Sequence, residues 1–122
     1  MTDKPIANTK IENETAIISF NVASLPSGPD LDQVAQQILE LIETGQSRNI
    51  IMDFSGVKFF SSQTLGIILE ARKKLSDSNG KVAICGIDPQ LHRVFKITNL
   101  DKIFVFFQSV ADAADYMMSD NK

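Results

Sequence analysis

Apolar residues recur along the chain with two different periods, and the two periods alternate. Runs rich in apolar residues at 16–20, 48–54 and 81–85 are typical of strands, and the last two resemble strands covered on both faces of a sheet. Between these runs, apolar residues recur every three or four positions, which predicts amphipathic helices. The residues that carry the first helical period are Leu31, Val34, Ala35, Ile38, Leu39 and Ile42.

Turn-forming and capping residues predict where these elements begin and end. The Pro and Gly content of 24–29 predicts a loop. Asp30 is predicted to cap the first helix, and Gly45 to end it. The second helix is predicted to begin at Ser62 and to end at 78–80, where the sequence is SNG.

The remaining elements extend the same alternation in both directions. A weak strand around 6–11 is predicted to pair with 16–20. Pro89 is predicted to open a third helix, 103–107 to form the last strand, and Ser109 to start a closing helix. Strands that alternate with helices favour a mainly parallel sheet with right-handed crossovers. The predicted fold class is therefore α/β, with a mainly parallel central sheet and four helices.

Length and composition limit the class of protein. The 122 residues are the size of one domain, so we expect a single domain over 1–122, with a core at about 5–118 and frayed termini. The net charge is −3 and Lys and Arg do not cluster, which disfavours nucleic-acid binding. We see no run long enough for a membrane span and no signal-peptide pattern. We expect a cytoplasmic monomer.

Residues that could carry enzyme chemistry are sparse. His92 is the only histidine and Cys85 the only cysteine, so a transition-metal site is not expected. His92 could serve Ser62 as a base, but no partner that would orient its ring is evident, and a packing role is favoured. Asp53 and Asp88 are expected to cap turns. We therefore expect no cofactor and no catalytic activity.

Two adjacent serines stand where a strand meets a helix, in the stretch DFSGVKFFSSQTLG at 53–66. One hypothesis is that Ser61 or Ser62 caps the helix, because a serine oxygen can accept a hydrogen bond from an otherwise unpaired amide. The other hypothesis is that one of the two hydroxyls is covalently modified and so switches binding. The residues alone leave both hypotheses open.

Three neighbours of the serines also suggest roles. Phe59 and Phe60 lie between strand and helix, where we expect core packing, with Phe59 the more buried of the two. Gly66 lies in the first turns of the helix, where glycine is about 1 kcal/mol less favourable than alanine. Its presence there suggests that the helix approaches the sheet closely.

The stretch 53–66 resembles the signature of the STAS domain, the fold of bacterial anti-sigma factor antagonists. That signature typically reads D-L-S-x-V-x-F-[IM]-D-S-[ST]-G-L-G. The positions that match it are Asp53, Phe54, Ser55, Val57, Phe59, Ser62, Leu65 and Gly66. The likeness continues through 80–116 and covers about 5–118.

The resemblance implies a phosphorylation switch at Ser62. In the family, the matching serine is phosphorylated by a partner that is both a serine kinase and an anti-sigma factor. The unmodified antagonist binds that partner and frees the sigma factor, and a phosphatase resets the phosphorylated form. This chain departs from the signature at Ser61, where the family has Asp, and at Gln63 and Thr64. The first departure makes Ser61 an alternative acceptor.

Residues of the loop after the second strand are implied as partner contacts by the same resemblance. The implied partner-binding residues are Ser24, Ser27, Asp30, Ser61, Ser62 and Gln63. The alternative is a constitutive or sensory STAS module whose serines only cap a helix.

Overall fold

The computed structural model describes residues 6–119, and it confirms the predicted alternation of strands and helices. The strands are β1 (Ala7–Glu12), β2 (Thr15–Phe20), β3 (Ser24–Leu25), β4 (Asn49–Asp53), β5 (Phe59–Phe60), β6 (Val82–Cys85) and β7 (Val105–Phe107). The α-helices are α1 (Pro29–Glu43), α2 (Ser62–Ser76), α3 (Pro89–Ile97) and α4 (Val110–Ser119). A 3₁₀ turn covers Leu100–Lys102. The fraying expected at 1–4 and 119–122 concerns residues outside the described range, except for Ser119, which is the last residue of α4.

Within residues 6–119, the main sheet has five strands in the order β1-β2-β4-β6-β7. β1 is antiparallel to β2, and the other neighbours are parallel, with Ile17 opposite Ile51 and Ile51 opposite Ala83. The mainly parallel α/β fold is therefore confirmed. Because each helix follows a strand that runs in the same direction, all four helices begin at the carboxyl edge of the sheet.

The core has two parts, one on each face of the sheet, because successive side chains of a strand point to opposite faces. The larger part joins α1, α2 and α3 to one face, and its fully buried members include Ile38, Ile50, Ile68 and Phe95. The smaller part packs α4 on the other face. Its buried members are Ile17, Ile51, Ala83, Cys85, Ala113 and Met117.

Two predicted boundaries differ from the structure because the elements involved are short. The stretch 24–29 is not wholly a loop, since β3 pairs in parallel with β5 in a separate two-stranded sheet. Two-residue strands show no hydrophobic period, so the sequence pattern does not predict them. The strand expected at 103–107 begins at Val105. A 3₁₀ turn covers Leu100–Lys102 and has Ile103 as its C-terminal cap, so the chain becomes extended only after that residue.

The predicted cap of the first helix is wrong. The cap residue is Gly28, two positions earlier than expected, and it makes no side-chain cap hydrogen bond, so Asp30 lies inside the first turn. The reason is Pro29, whose fixed φ suits the first helical position. The predicted end of the helix is confirmed. Gly45 directly follows the C-cap residue Thr44 and has φ +77°, the left-handed conformation in which helices commonly end.

The expectations for Phe59 and Gly66 are both wrong. Phe59 is 64% exposed, whereas Phe60 packs against the larger core. Neighbouring residues of an extended segment point in opposite directions, so only one of two adjacent phenylalanines can enter the core. Gly66 is exposed, and an added Cβ there would meet nothing within 4 Å. It lies about 200° around the helix from the buried Thr64.

Candidate functional site

A compact turn connects β4 to β5 and sets the path of the chain toward the two serines. The carboxylate of Asp53 accepts hydrogen bonds from Ser55 N at 2.9 Å and from Ser55 Oγ at 2.6 Å, so the turn-capping role predicted for Asp53 is confirmed. Phe54 and Val57 are fully buried on the core side of the turn. Gly86, directly after the neighbouring strand β6, lies so close that a Cβ there would overlap Ser55 Oγ.

An aromatic contact fixes the residue just before the serines. The Phe60 ring lies 5.8 Å from the Phe54 ring and 6.1 Å from the Phe95 ring, both in edge-on geometry. Such contacts add to the area that the rings bury. Because Phe60 is anchored in this way, Ser61 begins α2 from a defined position, while Phe59 projects outward.

The two serine hydroxyls have different surroundings. Ser61 is the cap residue of α2, with extended backbone angles, yet its side chain makes no cap hydrogen bond. Within residues 6–119, the Oγ of Ser61 and the Oγ1 of Thr64 are buried without a hydrogen-bond partner. Ser62 is the first helical residue and is exposed. The hypothesis that Ser62 caps the helix is therefore wrong, and Ser61 occupies the cap position without capping through its side chain.

Backbone hydrogen bonds hold the segment after β2 against the start of α2. Ser61 N donates to Leu25 O at 3.1 Å, and Lys58 N donates to Ala23 O at 2.7 Å. In the β3–β5 pair, Ser24 is the partner of Phe59. Ser24 therefore lies beside the start of α2, although it is almost forty positions away in the sequence.

Gln63 adds a side-chain bridge to this contact. Its Oε1 accepts from Gly28 N at 3.1 Å, and its Nε2 donates to Asp32 Oδ1 at 2.6 Å. The bridge ties the start of α1 to the start of α2. Asp32 was missed from the sequence, because its contact with Gln63 spans 31 positions and no local pattern marks it.

The six residues implied as partner contacts thus belong to neighbouring segments. Ser24, Ser27 and Asp30 are exposed on the segment that leads into α1, and Ser62 is exposed at the start of α2. Ser61 and Gln63 contribute less surface, since Ser61 Oγ is buried and the Gln63 amide is engaged in the bridge.

A groove of about 410 Å³ separates the start of α2 from α3. Both serines line it, together with Phe59, Leu65 and Val94 among others. An exposed phenylalanine beside aliphatic side chains gives this groove an apolar lining.

An ion pair lies near the start of α3, where Lys58 Nζ is 3.2 Å from Asp88 Oδ1. The hydrogen bond from Gln90 N, followed by the one from Lys58, holds the pKa of Asp88 below its usual value. Asp88 therefore caps a turn as predicted, and that turn is the first of α3, with Pro89 at the first helical position.

The isolated titratable residues have packing roles. The His92 ring lies 4.5 Å from the Phe106 ring, in agreement with the packing role that we favoured. Cys85 is fully buried, and burial, followed by the nearby charge of Asp53, raises the pKa of its thiol to about 12. No cluster of three or more potential metal-ligating side chains is found between residues 6 and 119. No helix in the same range is long and apolar enough to cross a membrane.

The family of the chain follows from a match that covers most of its length. Residues 28–113 match the STAS domain family. The chain belongs to the STAS domain family. This confirms the resemblance carried by 53–66, and the match includes α1 to α3, both serines and Gln63.

The chain is similar to several anti-sigma factor antagonists, and the solved structures among them share its fold. An anti-sigma F factor antagonist of Paenibacillus polymyxa is 29% identical over 82 residues, which are 67% of this chain and 70% of the relative. An anti-sigma-factor antagonist (STAS) domain protein from Planctomyces limnophilus superposes with a TM-score of 0.79 at 23% identity, covering 91% of this chain and 96% of that one. The antagonist SpoIIAA in its unphosphorylated form gives 0.76 at 18% identity, covering 93% and 98%.

Proposed function

We propose that this STAS domain is an anti-sigma factor antagonist whose binding is switched by phosphorylation of Ser62. The partner is a protein that is both a serine kinase and an anti-sigma factor, and a serine phosphatase resets the modified form. The chain acts as a monomeric cytoplasmic binding module, not as an enzyme, and it binds neither nucleic acid nor membrane. The proposal follows the family relationship, and the Paenibacillus polymyxa relative is itself named an antagonist.

The observation that carries the proposal is the contrast between two adjacent hydroxyls. A kinase must bring the terminal phosphoryl group of ATP into line with the attacking oxygen. Ser62 is exposed at the first position of α2, whereas the Oγ of Ser61 is buried. This contrast favours Ser62 over the alternative acceptor Ser61.

The position of Ser62 also suits the phosphorylated product. The first amides of a helix and its dipole stabilise an anion by about 0.5–2 kcal/mol. The fold should therefore tolerate the modification without rearranging. SpoIIAA, whose fold this chain shares, has been solved in a phosphorylated form with a TM-score of 0.75 to this chain at 21% identity, covering 90% of this chain and 97% of that one.

A phosphate at Ser62 would still prevent binding. It adds about −1.5 to −2 charges at neutral pH, and a charge buried without a partner in an interface is unfavourable by several kcal/mol. The surface that it would interrupt consists of the groove beside Ser62 and the exposed segment that carries Ser24, Ser27 and Asp30. The switch is therefore local.

Affinity capture from the native host tests the proposal, with wild type, Ser62→Ala and Ser62→Asp as baits. We expect a kinase-type anti-sigma factor on wild type and on Ser62→Ala, its loss on Ser62→Asp, and phosphate on Ser62 of the wild-type bait. Ser109→Asp is the matched control. Ser109 also lies at a helix start, and an aspartate preserves its capping role while adding the same charge.

The alternative, a constitutive or sensory STAS module, predicts a different result. The same partners would then bind to all of the baits, with no phosphate on Ser61 or Ser62. STAS-like folds do occur in proteins with other roles, since the anion transporter Slc26a9 of mouse contains a region that superposes with a TM-score of 0.68 at 16% identity, covering 88% of this chain and 18% of the transporter.

A further inference from the structure

The segment between β3 and α1 has few backbone groups that can fix it in place. Pro26 and Pro29 have no N–H, so Ser27 and Gly28 supply the amide donors of this stretch. Gly28 has φ +143°, a conformation that favours glycine. Its N–H donates to Gln63 Oε1 at 3.1 Å. A side chain from α2 therefore provides the bond that holds the bend of this segment.

The nitrogen of the Gln63 side-chain amide holds α1. Gln63 Nε2 donates to the carboxylate of Asp32 at 2.6 Å, and a hydrogen bond to a charged acceptor is stronger than one between neutral groups. A primary amide suits both contacts, because it carries an acceptor for Gly28 and a donor for Asp32. A carboxylate in its place could not satisfy both, because it has no donor.

We propose that Gln63 is a positioning residue, which fixes the segment from Pro26 to Asp32 against the first turn of α2 before any partner binds. This inference rests on the proposed function, because the segment and Ser62 are both parts of the proposed partner surface. A segment that is already in its bound position loses less conformational entropy on association. Gln63 thereby sets the affinity for the partner without needing to contact it.

The variant Gln63→Glu disrupts the bridge with little change in size. The new glutamate has no donor for Asp32, and repulsion between the two carboxylates pushes its side chain away from Gly28 N as well. An acidic residue in the first turn of α2 is favourable to the helix dipole, so the helix itself should not be weakened. Adding Asp32→Asn to this variant reverses the direction of the lost hydrogen bond, since an asparagine can donate to the glutamate.

The matched control is Gln37→Glu. It adds the same charge to an exposed position of α1 that lies beside β1 and not beside α2. It should leave both readouts described below unchanged.

The first readout is the hydrogen-exchange rate of the Gly28 amide, measured by NMR on the full chain without a partner. We expect exchange about tenfold faster in Gln63→Glu and close to the wild-type rate in Gln63→Glu/Asp32→Asn. An unchanged rate in Gln63→Glu would overturn the inference. This readout requires no sigma factor, kinase or phosphate.

The second readout is the affinity for the kinase-type anti-sigma factor captured with wild type. We expect about tenfold weaker binding for Gln63→Glu and recovery in the double variant, with both variants still folded. Faster exchange together with unchanged affinity would overturn the positioning role. If wild type captures no such partner, the proposed function fails, and the Gly28 exchange rate alone then decides whether Gln63 holds the segment.

Discussion

The starts of α2 and α3 both lie at the carboxyl edge of the sheet and flank the same groove, but their first turns are completed differently. At α3, the carboxylate of Asp88 accepts from Gln90 N at 3.0 Å and Pro89 fills the first helical position. At α2, the cap residue is Ser61, and its buried Oγ has no partner in the described part of the chain. The start of α3 is therefore stabilised by a side-chain cap, whereas the start of α2 is not.

The residue type does not explain this difference, because another serine of the same chain is a working cap. Ser109 Oγ accepts from Asp112 N at 3.2 Å at the start of α4, as the sequence predicts. Helix capping therefore does not account for the serine pair at α2. The exposed hydroxyl of Ser62 is left available for chemistry, which is what the proposed switch requires.

The largest expected effect concerns the aromatic anchor that leads into α2. We expect Phe60→Ala to lower the free energy of unfolding by about 2–4 kcal/mol, because Phe60 contacts Phe54 and Phe95 in the core. Phe59→Ala should change it by less than about 0.5 kcal/mol, since the ring is 64% exposed. Urea denaturation measures both values. Equal losses would contradict the assignment of one ring to the core and the other to the surface.

The comparison of the two helix starts is tested directly by removing each cap side chain. Asp88→Ala should lower the free energy of unfolding, because it removes a cap bond. Ser61→Ala should leave stability unchanged or raise it slightly, since it removes a buried hydroxyl that lacks a partner. Thermal and urea unfolding would report the difference. A loss for Ser61→Ala as large as that for Asp88→Ala would show that the serine caps after all.

The smallest expected effect is a gain in stability at Gly66. Gly66→Ala should raise the free energy of unfolding by about 0.5–1 kcal/mol, because the site is an exposed helical position with open space around it. Gly80→Ala is the contrasting control and should be destabilising, since a Cβ there would overlap the carbonyl oxygen of Arg48. A loss of stability for Gly66→Ala would instead support the interpretation from the sequence, that α2 approaches the sheet closely at Gly66.

The sequence predicted those features that depend on nearby residues. The element order follows from hydrophobic period, and the starts at Pro89 and Ser109 follow from residues within a few positions of each other. The STAS resemblance located the serine pair for the same reason, since its signature is a contiguous stretch.

The features that the sequence did not predict depend on the direction in which a residue faces or on contacts between residues far apart in the sequence. Which of Phe59 and Phe60 points inward depends on the register of a two-residue strand. The face on which Gly66 lies follows from the rotation of α2 against the sheet. The Gln63 bridge joins positions 31 and 35 residues apart, so only the folded chain reveals it.

Phosphate transfer to the purified protein is the most direct test of the central claim. The kinase-type partner would be incubated with labelled ATP and with wild type, Ser61→Ala, Ser62→Ala or the double variant. The account predicts labelling of wild type and of Ser61→Ala, and no labelling of the other two. Labelling of Ser62→Ala that is lost in Ser61→Ala, or labelling that persists in the double variant, would contradict the assignment of Ser62 as the switch.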